Sequence, residues 1–234
     1  MVKRIAIITA RGGSKRIPRK NIREFCGKPI IHYAITAAIE SGLFEEVMVS
    51  TDDHEIASIA KASGAVVPFM RSAENSNDFA STLDVIKEVL HNYQTKGRNF
   101  DEYCCIYPTA PFLTAGLFQQ ANSEMAELKA NGLVPVVRFS YPIQRALQMV
   151  EGRISFVTPE YAEKRSQDLE PRYHDVGQFY MGRVDHVMKC ENLFDGNVAG
   201  FEIDELRVQD IDCETDWKIA EIKFKLLTQE GLLE

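Results

Sequence analysis

Arg4–Thr9 (RIAIIT) is a continuous apolar run without alternation, the pattern of a strand buried on both faces of a parallel sheet. Apolar positions then recur at helical spacing over Pro29–Ser41 (PIIHYAITAAIES), and Gly42 supplies a C-terminal stop. Glu46–Ser50 (EVMVS) reads as the second strand, His54–Ser63 as a helix closed by Gly64, and Ala65–Pro68 as a short third strand. Ser81–Tyr93 (STLDVIKEVLHNY) is an amphipathic helix that Ser81 or Thr82 can cap. Tyr103–Tyr107 is a strand stopping at Pro108, Thr114–Asn131 a helix, and Leu133–Phe139 a strand. Strands alternating with helices of about a dozen residues predict an α/β fold: a Rossmann-like, doubly wound, mostly parallel sheet with helices on both faces.

The pattern loosens from Tyr141 to Pro171, with strand-like pieces at Ala146–Val150 and Ile154–Phe156 and a polar stretch at Thr158–Arg172. An insertion covering a site or a second subunit is expected there. Gly177–Met181, Val198–Ile203 and a closing helix at Ala220–Leu227 complete the pattern.

A chain of 234 residues is enough for one domain, 1–234, carrying an elaboration. A net charge of −7 argues against a general nucleic-acid binder, which would carry a basic surplus, but leaves room for a local phosphate site. No apolar run suits a signal peptide or a membrane span. Five scattered cysteines without a CxxC pair read as reduced thiols of a cytoplasmic protein rather than zinc ligands.

Ligands of open α/β sheets sit beyond the carboxyl ends of the strands, so the segment leaving the first strand is the natural site. It reads Ala10-Arg11-Gly12-Gly13-Ser14-Lys15-Arg16-Ile17-Pro18-Arg19-Lys20-Asn21, and five of these twelve residues are cationic. Gly12 and Gly13 permit close approach and positive φ, so that N–H groups can face an anion. Arg11, Lys15 and Lys20 can neutralise a triphosphate, and Ala10, Gly12, Gly13, Ser14 and Asn21 can wrap it. The loop has neither P-loop nor dinucleotide-fold spacing. A solvated basic turn is the competing reading, and the position after a buried strand decides against it.

Asp210 and Asp212 flank Ile211. In an extended strand, i and i+2 share a face, so both carboxylates could converge on one Mg²⁺, with Ile211 turned to the core. Alone they would read as surface acids; beside a triphosphate loop, a metal pair is the stronger reading. Asp52 at the end of the second strand is open between ligand contact and helix cap.

Ala10–Asn21, Ser50-Thr51-Asp52, Arg71 with Asp78–Thr82, Pro108-Thr109-Ala110-Pro111 and Asp210-Ile211-Asp212 recur in this order in the cytidylyltransferases of nonulosonic acids, the CMP-sialic acid synthetases and their relatives, which the chain resembles over nearly its whole length. Arg165–Pro171 followed by Tyr173–Tyr180 resembles the pseudaminic acid branch, whose CMP-sugar serves in glycosylation of flagellin and surface glycans. Tyr107, where sialic acid enzymes usually carry Gln, and His174-Asp175-Val176-Gly177 depart from the sialic acid branch. The resemblance implies that Arg71 and Ser81 contact cytidine, although Ser81 is equally a plain helix cap. Tyr107 and Thr109 are expected at a sugar pocket, where His174, Asp175 and Gln178 offer a polar cluster. A homodimer formed through about 139–172 is also implied.

The expected reaction is transfer of CMP from CTP to the anomeric hydroxyl of a nonulosonic acid, with Mg²⁺ as cofactor and no nucleic-acid or membrane partner. N-acetylneuraminic, legionaminic or 3-deoxy-octulosonic acid are alternative acceptors. A non-catalytic nucleotide-sugar-binding protein is the alternative of another class.

Overall fold

In a computed structural model, which describes residues 2–233, strand β1 (Arg4–Thr9) is buried on both faces as its apolar run requires. Ala6 and Ile8 project to one side and Ile5 and Ile7 to the other, each pair fully buried in a different core cluster. A short hairpin, β2 (Glu24–Phe25) and β3 (Lys28–Pro29), turns the chain into α1 (Ile30–Glu40). Next come β4 (Glu46–Ser50), α2 (His54–Ala62), α3 (Thr82–Thr95), β5 (Glu102–Ile106), α4 (Ala115–Glu127) and β6 (Gly132–Arg138). A hairpin of β7 (Leu147–Val150) and β8 (Arg153–Phe156) interrupts the α/β pattern. The chain closes with β9 (Tyr173–Asp175), β10 (Phe179–Arg183), α5 (Val184–Val187), β11 (Val198–Glu202) and α6 (Glu214–Gln229).

The main sheet has seven strands in the order β11-β6-β10-β5-β1-β4, with β9 added on β6. β1 runs parallel to β4 and β5, and β11 parallel to β6. β10 is antiparallel to both β5 and β6, and β9 to β6. Two strands are therefore reversed and the other five share one direction, which makes the sheet mostly parallel. Residues of α1, α2 and α4 share the core on one face, and those of α3 and α5 the core on the other. A third cluster packs Trp217, Ala220 and Leu227 of α6 against Phe25, Ile30 and the loop residue Ile17. α6 therefore underpins the basic loop, and each buried Ile in such a cluster contributes about 2 kcal/mol.

Several elements differ from their expected form. Ala65–Pro68 forms no full strand: Val66 makes an isolated parallel bridge to Met48, and Pro68, lacking an N–H, cannot extend it. The helix expected to run to Asn131 stops at Glu127, and Lys129 follows with φ 51°. The closing helix is longer than Ala220–Leu227, because Asp216 accepts from the amides of Asp212 and Cys213 and so starts it earlier. Val208–Asp212 is an irregular loop rather than a strand. No helix among the described residues is long and apolar enough to cross a membrane.

Candidate active site

The basic loop leaves β1 at the carboxyl end of the sheet and is braced from within. Ala10 is fully buried, so only its backbone is available; its N–H donates to Ser50 O at 3.0 Å. Asn21 Nδ2 donates to Arg11 O at 2.8 Å, which ties the far end of the loop to its start. Neither Gly12 nor Gly13 has positive φ, contrary to the sequence expectation. Gly12 is required by proximity instead: a Cβ there would lie 2.8 Å from Asp53 Oδ2, whereas Gly13 faces open space.

The cap role left open for Asp52 falls to Asp53, and Asp52 is engaged with the basic loop. Asp52 Oδ1 accepts from the Gly12 amide at 2.9 Å, fixing the turn of the basic loop. Asp53 caps α2, accepting from Glu55 N at 2.9 Å and Ile56 N at 3.0 Å. Arg19 turns away from the loop's mouth and pairs with Asp53 at 2.5 Å and with Glu55. That leaves Arg11, Lys15, Arg16 and Lys20 as the loop's cations. Arg11 Nη1 and Lys15 Nζ both donate to Asp78, whose carboxyl they hold below the usual carboxylate range, Lys15 contributing most.

A cavity of ≈ 350 Å³ opens beside the loop. Its lining brings together Arg11, Ser14, Lys20, Asn21, Arg71 and Ser81. Arg71 is buried, its Nε and Nη2 donating to Ser50 Oγ at 2.9 Å and Ser50 O at 2.6 Å; burial pulls its pKa down. Ser81 is the N-cap of α3 in a reciprocal capping box with Asp84, so its side chain is already engaged although it borders the cavity. Thr109 lines this cavity, not the neighbouring one where a sugar contact was expected.

The second cavity, ≈ 640 Å³, is lined by Tyr107, His174, Asp175 and Asp210 among others. Tyr107 belongs to both cavities and forms their common wall. Its hydroxyl is 2.8 Å from Thr82 Oγ1, its ring meets Tyr180 edge-on, and burial raises its pKa, so the phenol stays protonated. Asp175 uses both oxygens internally, accepting from Gly177 N at 2.8 Å and Tyr180 Oη at 2.5 Å. His174 packs on Phe139, and its Nδ1 lies 3.0 Å from Asp175 O, which leaves Nε2 for a ligand. Gln178 lines neither cavity: it is buried and its Nε2 donates to Arg207 O at 2.6 Å, so the direct sugar contact expected of it is replaced by support of the loop behind.

Asp210 reaches the second cavity and Asp212 lies against the basic loop, both carried by the irregular loop and not by a strand face. Ile211 between them is buried in the cluster of Trp217 and Ile17, turned to the core as expected. Asp212 Oδ1 accepts from Arg16 Nη2 at 2.7 Å and lies 3.7 Å from Lys20 Nζ, which donates to Ile211 O at 2.6 Å. Asp210 opens onto the second cavity; its pKa is raised by partial desolvation and then by the Asp212 charge. Among the described residues, no group of three or more His, Cys, Asp or Glu is placed to hold a metal. This pair suits a cation that accepts one or two carboxylates and completes its shell with water and phosphate oxygens.

Sequence reasoning missed several lining residues. Asn75 and Asn77 border the first cavity, and Arg138 and Lys223 the second. Arg138 ends β6 on the ligand side of the sheet, a position that could have flagged it. Lys223 gave no such signal: it lies on α6, donates to Val208 O at 2.7 Å and Glu205 O at 3.2 Å, and has its pKa lowered by burial.

An α/β sheet with a basic loop after β1, and two cavities meeting at the carboxyl ends of its strands, defines a nucleotidyltransferase. A family model described as Cytidylyltransferase matches residues 5–188, and the chain belongs to that family. It is 39% identical over 226 residues to the pseudaminic acid cytidylyltransferase of Campylobacter jejuni subsp. jejuni serotype O:2, covering 96% of this chain and 97% of the relative. It is 30% identical to the CMP-N,N'-diacetyllegionaminic acid synthase of Legionella pneumophila, covering 98% and 99%. The fold matches that of a CMP:2-keto-3-deoxy-manno-octonic acid synthetase complexed with CTP, with a TM-score of 0.70 at 20% identity, covering 97% of this chain and 99% of that one.

Proposed function

We propose that this chain transfers CMP from CTP to the anomeric hydroxyl of a nonulosonic acid, pseudaminic acid before others, releasing pyrophosphate. The observation that carries the reading is the pair of cavities walled by Tyr107, with Lys20 lining one and Asp210 the other. Cytidine and the phosphates occupy the first cavity, where Arg71, Asn75 and Ser81 line the nucleoside end and Arg11 and Lys20 face the phosphates, with Lys15 at the rim beside Asp78. The sugar occupies the second, where Arg138 and Lys223 can balance the carboxylate that distinguishes these acids from neutral sugars. The anomeric oxygen bonds to the α-phosphorus as the bond to the bridging oxygen of the β-phosphate breaks, and the hydroxyl proton leaves to solvent. Positioning and electrostatics carry such a transfer without a covalent intermediate.

Asp210 and Asp212 would hold Mg²⁺. When bound, it would neutralise phosphate charge and acidify the attacking hydroxyl. The preference for pseudaminic acid rests on the relative at 39% identity and on the Arg165–Tyr180 stretch. CTP as substrate and the five free cysteines support a cytoplasmic location. The exposed apolar hairpin β7–β8 supports a homodimer.

Pyrophosphate release tests the reading, with CTP and each of pseudaminic, N-acetylneuraminic, legionaminic and 3-deoxy-octulosonic acid, with and without Mg²⁺. Fastest release with pseudaminic acid and Mg²⁺ is expected. Faster release with another acid reassigns the acceptor, and none with any acid overturns the transfer.

A further inference from the structure

A carboxylate already stands where the proposed function puts phosphate oxygens. Asp78 Oδ1 accepts from Arg11 Nη1 at 2.6 Å and Asp78 Oδ2 from Lys15 Nζ at 2.5 Å. One oxygen per cation is the bridging arrangement that two phosphate oxygens would adopt between the same groups. Asp78 also lines the cavity beside the loop.

The segment that carries it is built as a strap. At its root, Glu88 on α3 accepts from Ser72 N and Ser72 Oγ, each at 2.8 Å, and from Asn75 Nδ2. At its far end, Ser81 caps α3. Between these, Asn77 Oδ1 accepts from Phe79 N at 2.7 Å and Ala80 N at 3.1 Å, folding the tip into a local turn. The tip gains little from apolar burial, since Phe79 is 96% exposed. Its link to the basic loop runs through Asp78, and the Lys15 side chain in that link is 77% exposed. Exposed pairs of this kind exchange readily with other anions in water.

We propose that Asp78 is a built-in competitor for the nucleotide's phosphates: it holds Arg11 and Lys15 while the cavity is empty and is displaced when CTP binds. The inference rests on the nucleotidyltransferase reading, since that reading makes Arg11 and Lys15 triphosphate ligands. Keeping the two cations paired limits their mutual repulsion in the empty site and weakens the net affinity for nucleotide. The same competition helps release pyrophosphate, because Asp78 can retake both cations as it departs.

The test is calorimetric binding of CTP and of pyrophosphate to wild type, Asp78→Asn and the control Glu191→Gln, which removes one charge outside both cavities. Asp78→Asn is expected to tighten both ligands roughly threefold to tenfold, with Glu191→Gln unchanged. A Phe79→Trp variant should change its emission when CTP is added. Wild-type or weaker binding by Asp78→Asn, confirmed with Asp78→Ser and with a melting curve showing both variants folded, overturns the competitor while leaving the nucleotidyltransferase reading intact. Failure of the wild type to bind CTP at all overturns both.

Discussion

Arg19 has φ 55°, an uncommon left-handed backbone for a residue with a side chain, and its guanidinium is committed to Asp53 and Glu55 rather than to a ligand. The Arg19 hydrogen bond is the main reason the Asp53 carboxyl is held down to about 2. A folded-state pKa below the unfolded value of 3.8 means the pair stabilises the protein above about pH 4 and loses that contribution as pH falls toward 2. Asp53→Asn keeps the helix cap and removes the ion pair. Because Arg19 is partly exposed, the expected loss at pH 7 is about 1 kcal/mol. Urea unfolding of both proteins from pH 7 down to pH 2.5 checks this: the gap should narrow below about pH 4, and a gap independent of pH would refute the pairing argument. At this scale the sequence is only partly legible. That the loop after β1 is strongly basic can be read from its composition. That Asp52 is taken up by the Gly12 amide, and that Gly12 answers to a neighbouring carboxylate rather than to positive φ, depends on contacts between residues about 40 positions apart.

Elements were more legible where burial dictates a period. β1, β4 and β5 are apolar runs because helices cover both faces, and α1, α2 and α3 show helical spacing because each covers one. The 205–212 loop has no period of its own and takes its shape from α6. Lys223 holds the carbonyls of Glu205 and Val208, and Ile211 is gripped by Trp217. No local pattern announces a loop shaped from outside, which is why a strand was expected there. Lys223→Met removes both the tie and a cation of the second cavity. The expected result is a roughly tenfold rise in KM for the acid sugar, with CTP affinity within about twofold of wild type. Steady-state kinetics with the sugar varied, together with CTP calorimetry, checks it; an equal loss for CTP would show that Lys223 serves the whole loop and not the sugar.

For the whole molecule, the β7–β8 hairpin is the feature least explained by one chain. Its turn is ordinary, two residues, Glu151 at φ 49° and Gly152 at φ 76°, as tight hairpins require. Its side chains are not: Met149 and Ile154 face each other across the strands yet are 72% and 64% exposed. A two-stranded ribbon is marginal in water by itself, and clustered apolar exposure is a common mark of an interaction surface. A second copy is the simplest cover, since a two-fold axis lets the same patch serve both sides. The hairpin belongs to the segment that joins Phe139 to His174, both of which line the second cavity, so fixing the hairpin is expected to steady the ends of that segment. Sedimentation of the wild type at micromolar concentration should give twice the chain mass, and Met149→Lys with Ile154→Lys should give a folded monomer with weakened sugar affinity. A wild-type monomer, or a double variant that still sediments as a dimer, would remove the hairpin from the interface.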